Sequence, residues 1–110
     1  MICDFGDVVV VPFPFVDFAA TKRRPSLVLS HTSFNGTHGH SICAMITTAI
    51  RSKWPSDVAI KDLKLAGLNR PCVVRWKLFT LPNDFILRRT GKLASHDRDQ
   101  VISVARNILA

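Results

Sequence analysis

The sequence predicts a mainly β domain of the α+β class: a small, partly open β-barrel or sheet covered by one C-terminal amphipathic helix. Short runs rich in valine, isoleucine and threonine recur along the chain, separated by proline, glycine and asparagine. The run "CVVRWKLFTL" (72–81) alternates between faces at the two-residue period of a strand. The tail "SHDRDQVISVARNILA" changes to helical spacing. Strands followed by one helix with an apolar stripe bury that stripe against the sheet.

"DVVVVPF" (7–13) reads as the first strand, ended near Pro14, which cannot donate to a ladder. "PFPFVDFAATKRRP" is then a loop marked by proline and charge, and "SLVLSH" (26–31) the second strand. In "TSFNGTHGH", Asn35-Gly36 and Gly39 suit the positive-φ positions of a turn. "SICAMITTAI" (41–50) is the third strand, "RSKWPS" a loop and "DVAI" (57–60) a short fourth strand. "KDLKLAGL" makes one or two helical turns stopped by Gly67. In 72–81, Val73, Arg75, Lys77 and Phe79 share one face, with Val74, Trp76 and Leu78 on the other. "PND" (82–84) is a turn and "FILRRTGKL" a further short strand or two. In the tail, Ser95 is placed to cap a helix and Asp97 and Asp99 to face its dipole. Val101, Ile102, Ala105, Ile108 and Leu109 form its apolar stripe.

The chain has 110 residues, which suits one domain spanning 1–110. With 47% hydrophobic residues it can build a core and is no disordered polyelectrolyte. Fifteen Lys and Arg against eight acids give a formal charge of +7, which favours a polyanionic partner. The three cysteines, Cys3, Cys43 and Cys72, form no CxxC pair. Their number and spacing favour a reducing cytoplasm over a disulfide framework, with Cys43 a small core residue. No signal peptide or membrane-length apolar run is expected.

His31, His38 and His40 lie close together in sequence, but no cysteine or carboxylate joins them at zinc spacing, so no metal site is assigned. The acids are all aspartate and scattered, unlike the clusters that paired-carboxylate or two-metal hydrolysis needs. No glycine-rich phosphate cradle and no Gly-x-Ser-x-Gly elbow occur. What remains is arginine and hydroxyl chemistry: Arg23 and Arg24 before a strand, Thr47 and Thr48 ending one, Arg75 and Lys77 on a strand face. Singly, each reads as a solubilising charge or a β-forming threonine. Together they suit RNA cleavage, in which the neighbouring 2′-hydroxyl attacks phosphorus. Guanidinium forks can then hold the phosphoryl oxygens and neutralise the developing charge without a cofactor.

With these residues in place, the chain resembles the MazF/PemK-like toxins of type II toxin–antitoxin modules, in their PemK-like branch. "FGDVVVVPFPF" resembles the family's opening, "RRPSLVLS" its Arg-Pro strand entry, "AMITT" its threonine-bearing strand and "PCVVRWKLFTL" its later strand. The resemblance implies a small SH3-like β-barrel, usually a homodimer. It implies a metal-independent endoribonuclease, an mRNA interferase that cuts single-stranded RNA and leaves 2′,3′-cyclic phosphate and 5′-hydroxyl ends. It also implies an acidic cognate antitoxin, with DNA reached only through that antitoxin. Arg24 matches the family's catalytic arginine, Thr47 its catalytic threonine and Arg75 a strand arginine used by some members at the scissile phosphate. "FAATKR" lacks the His/Ser-Glu-Gln loop of several members, and Lys77 stands where some carry an acid. The resemblance therefore names no general base here. RNA contacts are expected from Lys22, Arg23, Arg51, Lys53 and Lys77, and base stacking from Trp54. The alternative is a non-cleaving protein on the same barrel: a degenerate toxin that binds RNA or antitoxin, or a CcdB-like topoisomerase poison. The C-terminal "RNILA" lacks the tryptophan on which the last depends.

Overall fold

A computed structural model of the chain describes residues 1–13, 22–48 and 52–109; the expected loop before Lys22 and the candidate Arg51 lie outside the described residues. The elements are β1 (Asp7–Phe13), β2 (Lys22–Val28), α1 (Thr32–His38), β3 (His40–Thr47), β4 (Val58–Ala59), α2 (Leu63–Ala66), β5 (Val73–Pro82), β6 (Arg88–Lys92) and α3 (Ser95–Ile108). The strands form one antiparallel sheet in the order β4-β5-β3-β2-β1-β6, curled into a half-barrel with α3 against it. The expected class and architecture are present.

The sheet buries apolar side chains on both faces. Leu27 pairs with Ala44 and Ile46 with Val74; these join Trp76, Leu93 and Val101 of α3 in one cluster. On the alternate positions Val9, Val11, Val28 and Cys43 pack with Cys3, Leu81 and Ile86. Alternation inside a doubly covered sheet explains why β1 reads as a continuous valine run. Burial pushes the Cys43 thiol up to about 12, with Cys3 adding to the effect, so it stays a neutral core group.

Several boundaries differ from the expected ones, each for a physical reason. β2 begins at Lys22, so Arg23, Arg24 and Pro25 lie within the strand and not at its mouth. Pro25 is tolerated because only β1 pairs with that stretch; the ladder to β3 runs over Ser26–Val28 alone. β3 ends at Thr47 and β4 shrinks to Val58–Ala59. The expected turn at 32–38 is a helix. Its Asn35 is fully buried, donating to the Cys3 and Ser30 carbonyls, while its own carbonyl accepts from the Asn83 amide at 2.8 Å. Tertiary hydrogen bonds thus turn an Asn-Gly pair into helix interior, and the left-handed residue is Gly39, at φ 65°. The expected 82–84 turn is a 3₁₀ turn over Asn83–Phe85.

The α2 stop stands as read: Gly67 caps it at φ 73°, and Asp62 accepts from the Leu65 N–H at 3.0 Å. In β5 the simple alternation breaks. The register with β3 shifts between Ala44↔Leu78 and Met45↔Arg75, which bulges Trp76 and Lys77. Arg75 and Trp76 are consequently both buried and Leu78 is exposed. At the tail, Ala94, not Ser95, is the N-cap residue, without a side-chain cap. Asp97 is buried and accepts hydrogen bonds from the Lys61 and Asp62 backbones, outside its own helix.

Candidate active site

Two of the three catalytic candidates, Arg24 and Thr47, come together because strands part. β2 and β3 are paired as far as Ser26↔Met45 and then separate. A cavity of about 380 Å³ opens where they diverge. One wall carries Arg23, Arg24 and Pro25 of β2, and another carries Thr47 and Thr48 at the end of β3. The register continues this arrangement: Arg24 has the same parity as Ser26, whose partner Met45 has the parity of Thr47. Arg24 and Thr47 therefore face the same way from neighbouring strands.

The remaining wall is the segment joining α2 to β5, with Leu68, Asn69, Arg70 and Cys72. A second cavity, of about 520 Å³, adjoins this one through Thr48, Asn69 and Arg70. The Cys72 thiol donates to the Arg70 carbonyl at 3.2 Å and fixes the turn. Burial raises the Cys72 pKa, so it is a packing group and no thiolate nucleophile. The described lining holds three guanidinium groups, two threonine hydroxyls and an amide, and no carboxylate. Such a wall attracts an anion and places fork-shaped donors around it.

Asn69 and Arg70 were not among the residues singled out from sequence. Their signal was present: Arg70 precedes Pro71 as Arg24 precedes Pro25. A proline after the arginine restrains its backbone to extended conformations and steadies the direction of the side chain.

Arg75 sits in a different environment. Its Nε and Nη2 donate to the two Asp57 oxygens at 3.1 and 2.9 Å, and Nη1 and Nη2 reach the Ser52 hydroxyl and carbonyl at 3.1 and 2.9 Å. By register it shares a face with Thr47, yet it does not line the cleft. Trp54 lies over this cluster, with the Arg75 guanidinium carbon 5.4 Å and the Lys77 ammonium 5.7 Å from its ring centroid. Of the remaining expected RNA contacts, Lys22, Arg23 and Lys53 are exposed. Among the described residues no group of three or more His, Cys, Asp and Glu side chains is placed to hold a metal ion.

The Arg75 hydrogen bonds hold the Asp57 carboxyl below its ordinary pKa against partial burial, with help from the Trp54 N–H at 3.0 Å. The pair therefore adds stability that is complete above the unfolded carboxylate pKa of about 4 and is lost as pH falls through the lowered folded value. Asp57→Asn is expected to lower the melting temperature at pH 7. The gap from wild type should narrow below about pH 4, as read by circular dichroism. A gap constant from pH 7 to pH 2.5 would show that the pair contributes nothing through ionisation.

Fold and cleft define a class: a small curled-sheet protein whose cleft between β2 and β3 is lined, among the described residues, by guanidinium and hydroxyl groups. The comparisons give the family. The model of the PemK-like, MazF-like toxins of type II toxin–antitoxin systems matches residues 4–109, and the chain belongs to that family. It is the toxin component of such a module, in a family of RNA-cleaving enzymes. The fold is similar to that of the MazE–MazF complex from Deinococcus radiodurans, with TM-score 0.78 and 22% identity over 99% of this chain and 97% of that one. It is also similar to a mycobacterial endoribonuclease in complex with its cognate antitoxin (TM-score 0.75, 16% identity, 98% and 93% covered). Toxin MazF-mt6 of Mycobacterium tuberculosis matches with TM-score 0.73 and 22% identity over 92% and 93% of the two chains. No curated protein matches significantly in sequence. No helix among the described residues is long and apolar enough to cross a membrane.

Proposed function

We propose that the chain cuts single-stranded RNA without a metal, by attack of a ribose 2′-hydroxyl on the adjacent phosphorus, leaving 2′,3′-cyclic phosphate and 5′-hydroxyl ends. The observation that carries this reading is the joining of Arg24 and Thr47 in one cleft with no carboxylate in its described wall. As the 2′-oxygen bonds to phosphorus and the 5′-oxygen leaves, negative charge builds on the non-bridging oxygens. The Arg24 fork neutralises that charge, and the Thr47 hydroxyl donates to the same phosphoryl group and fixes its orientation. Arg23, Lys22 and Lys53 guide the flanking backbone, and Trp54 stacks a base. A cognate antitoxin with an acidic segment silences the enzyme by filling the same basic seam, and a second copy of the chain completes the working dimer.

The test uses a long single-stranded RNA with EDTA present and maps both the cut positions and the end chemistry. Cutting that leaves cyclic phosphates supports the reading. RNA binding without cutting would favour the degenerate binder, and cutting that appears only after Mg²⁺ is restored would defeat metal independence.

Arg70 gives a smaller, separable prediction. As a phosphate contact across the cleft from Arg24, its loss weakens binding and removes counterion release from one phosphate. Arg70→Ala should reduce the slope of log K against log salt by about 0.7 for a single strand. An unchanged slope in a fluorescence-anisotropy salt titration would place Arg70 off the RNA.

A further inference from the structure

We infer that Asp57 and Arg75 are positioning residues: they clamp the 52–57 segment so that Trp54 is held ready as a stacking platform for a base of the RNA. This rests on the RNA-cleaving reading above and gives Arg75 a role other than contact with the scissile phosphate.

Arg75 has few donors to spare. A guanidinium has five N–H groups. Arg75 spends one from Nε and one from Nη2 on Asp57, another from Nη2 on the Ser52 carbonyl and one from Nη1 on the Ser52 hydroxyl. One N–H is left, which cannot make the bidentate grip that phosphate recognition by arginine uses. Asp57 also cancels the charge that a developing oxyanion would need. Arg24, by contrast, is exposed in the cleft and has no carboxylate partner among the described residues.

The clamp holds the Trp54 backbone. Asp57 closes the turn around Trp54 in both directions: the Trp54 N–H donates to its Oδ2 at 3.0 Å, and its own N–H donates to the Trp54 carbonyl at 3.0 Å. Pro55 further restricts the Trp54 backbone. The buried Arg75 lies 5.4 Å from the indole centroid and supports the ring, while 37% of Trp54 stays open to solvent. An aromatic ring fixed at its backbone, backed by a cation and open to solvent is the arrangement that stacks any base with little loss of entropy on binding.

Trp54 and Trp76 are the only tryptophans. The buried Trp76 Nε1 has no hydrogen-bond partner among the described residues, so Trp76→Phe strands no acceptor and leaves Trp54 as sole emitter. In that background, a mixed-sequence RNA carrying 2′-O-methyl groups is titrated; it binds but cannot supply the attacking hydroxyl. Trp54 fluorescence should be quenched on binding, and Trp54→Ala should weaken affinity about tenfold, read by the anisotropy of a dye-labelled copy of the same RNA. Asp57→Asn should weaken it by a similar factor and diminish the quench. In cleavable RNA, KM should rise while kcat stays within about threefold. Combined with Trp54→Ala, Asp57→Asn should add little further loss, because both remove the same platform. If Asp57→Asn fails to fold, Ser52→Ala, at an exposed residue, gives the same comparison at smaller size.

Arg75→Lys that lowers kcat a hundredfold with affinity and quench intact would overturn the inference and put Arg75 at the phosphate. Additive losses from Asp57→Asn and Trp54→Ala would also overturn it. RNA affinity insensitive to Trp54→Ala would remove the platform while leaving Arg24-dependent cleavage standing. Absence of cleavage by wild type would instead be a failure of the underlying reading.

Discussion

Arg24→Ala should lower the single-turnover cleavage rate at saturating RNA by about 10²–10³-fold, the loss typical of one preorganised donor aimed at a developing oxyanion. It should change stability by under about 0.5 kcal/mol, because the residue is exposed and substitutions at such positions are usually near neutral. The separation of those two effects is the informative part. A residue that served the fold would lose rate and melting temperature together. Arg24→Lys should fall between, since an ammonium keeps the charge and loses the planar fork. Rapid-quench kinetics on the same RNA measures the rates, and circular dichroism the melting. Equal rates for wild type and Arg24→Ala would move the chemistry out of the cleft between β2 and β3. A loss seen wholly in KM would make Arg24 a backbone contact and leave the oxyanion to another group.

The parts of this molecule legible in its sequence are those fixed by local pattern. Valine runs, the helical period of the tail and Gly67 each act within a few residues, so strands, tail helix and the α2 stop could be read directly, although Ile108 and Leu109 of the expected stripe are exposed. Arg24 and Thr47 are joined in the sequence only through the family resemblance; their meeting depends on where β2 and β3 part, which no local period records. Asn35 shows the same limit from the other side. Its Asn-Gly pair signals a turn, and bonds to Cys3 and Asn83, 32 and 48 residues away, make it helix interior instead. Sequence places Arg75 on a strand face beside Lys77 but does not show its partner Asp57, 18 residues back, or the bulge at Trp76 and Lys77 that breaks the alternation. The rule that failed in each case is the assumption that a polar group answers to its neighbours in sequence.

Asp97 carries that point to a measurable consequence for the whole fold. From sequence it is an acid in the first turn of α3, equivalent to Asp99 and worth at most about 1 kcal/mol through the helix dipole. In the fold it is 1% exposed, and its two oxygens accept from the Lys61 N–H at 3.0 and 3.1 Å and from the Asp62 N–H at 3.0 Å. It thus pins α3 to the segment that starts α2, and Asp62 is itself the cap of α2. Asp97→Ala removes the acceptor and leaves both backbone donors partly buried without it. Hydrogen bonds to a charged group contribute about 1.5–3 kcal/mol, and a stranded donor costs about 1–3 kcal/mol, so a loss of roughly 3 kcal/mol is expected. For a domain of this size that is a drop of about 10–20 °C in melting temperature. Asp97→Asn keeps one acceptor oxygen and should lose about half as much. Asp99→Ala, at an exposed residue two positions on, should barely move the transition. Because α2 borders the strip carrying Asn69 and Arg70, the loosened Asp97→Ala fold should also bind RNA more weakly at temperatures well below its melting point. Calorimetric melting of the three variants decides the matter: equal shifts for Asp97→Ala and Asp99→Ala would mean that the tether contributes no more than a surface charge near a helix end.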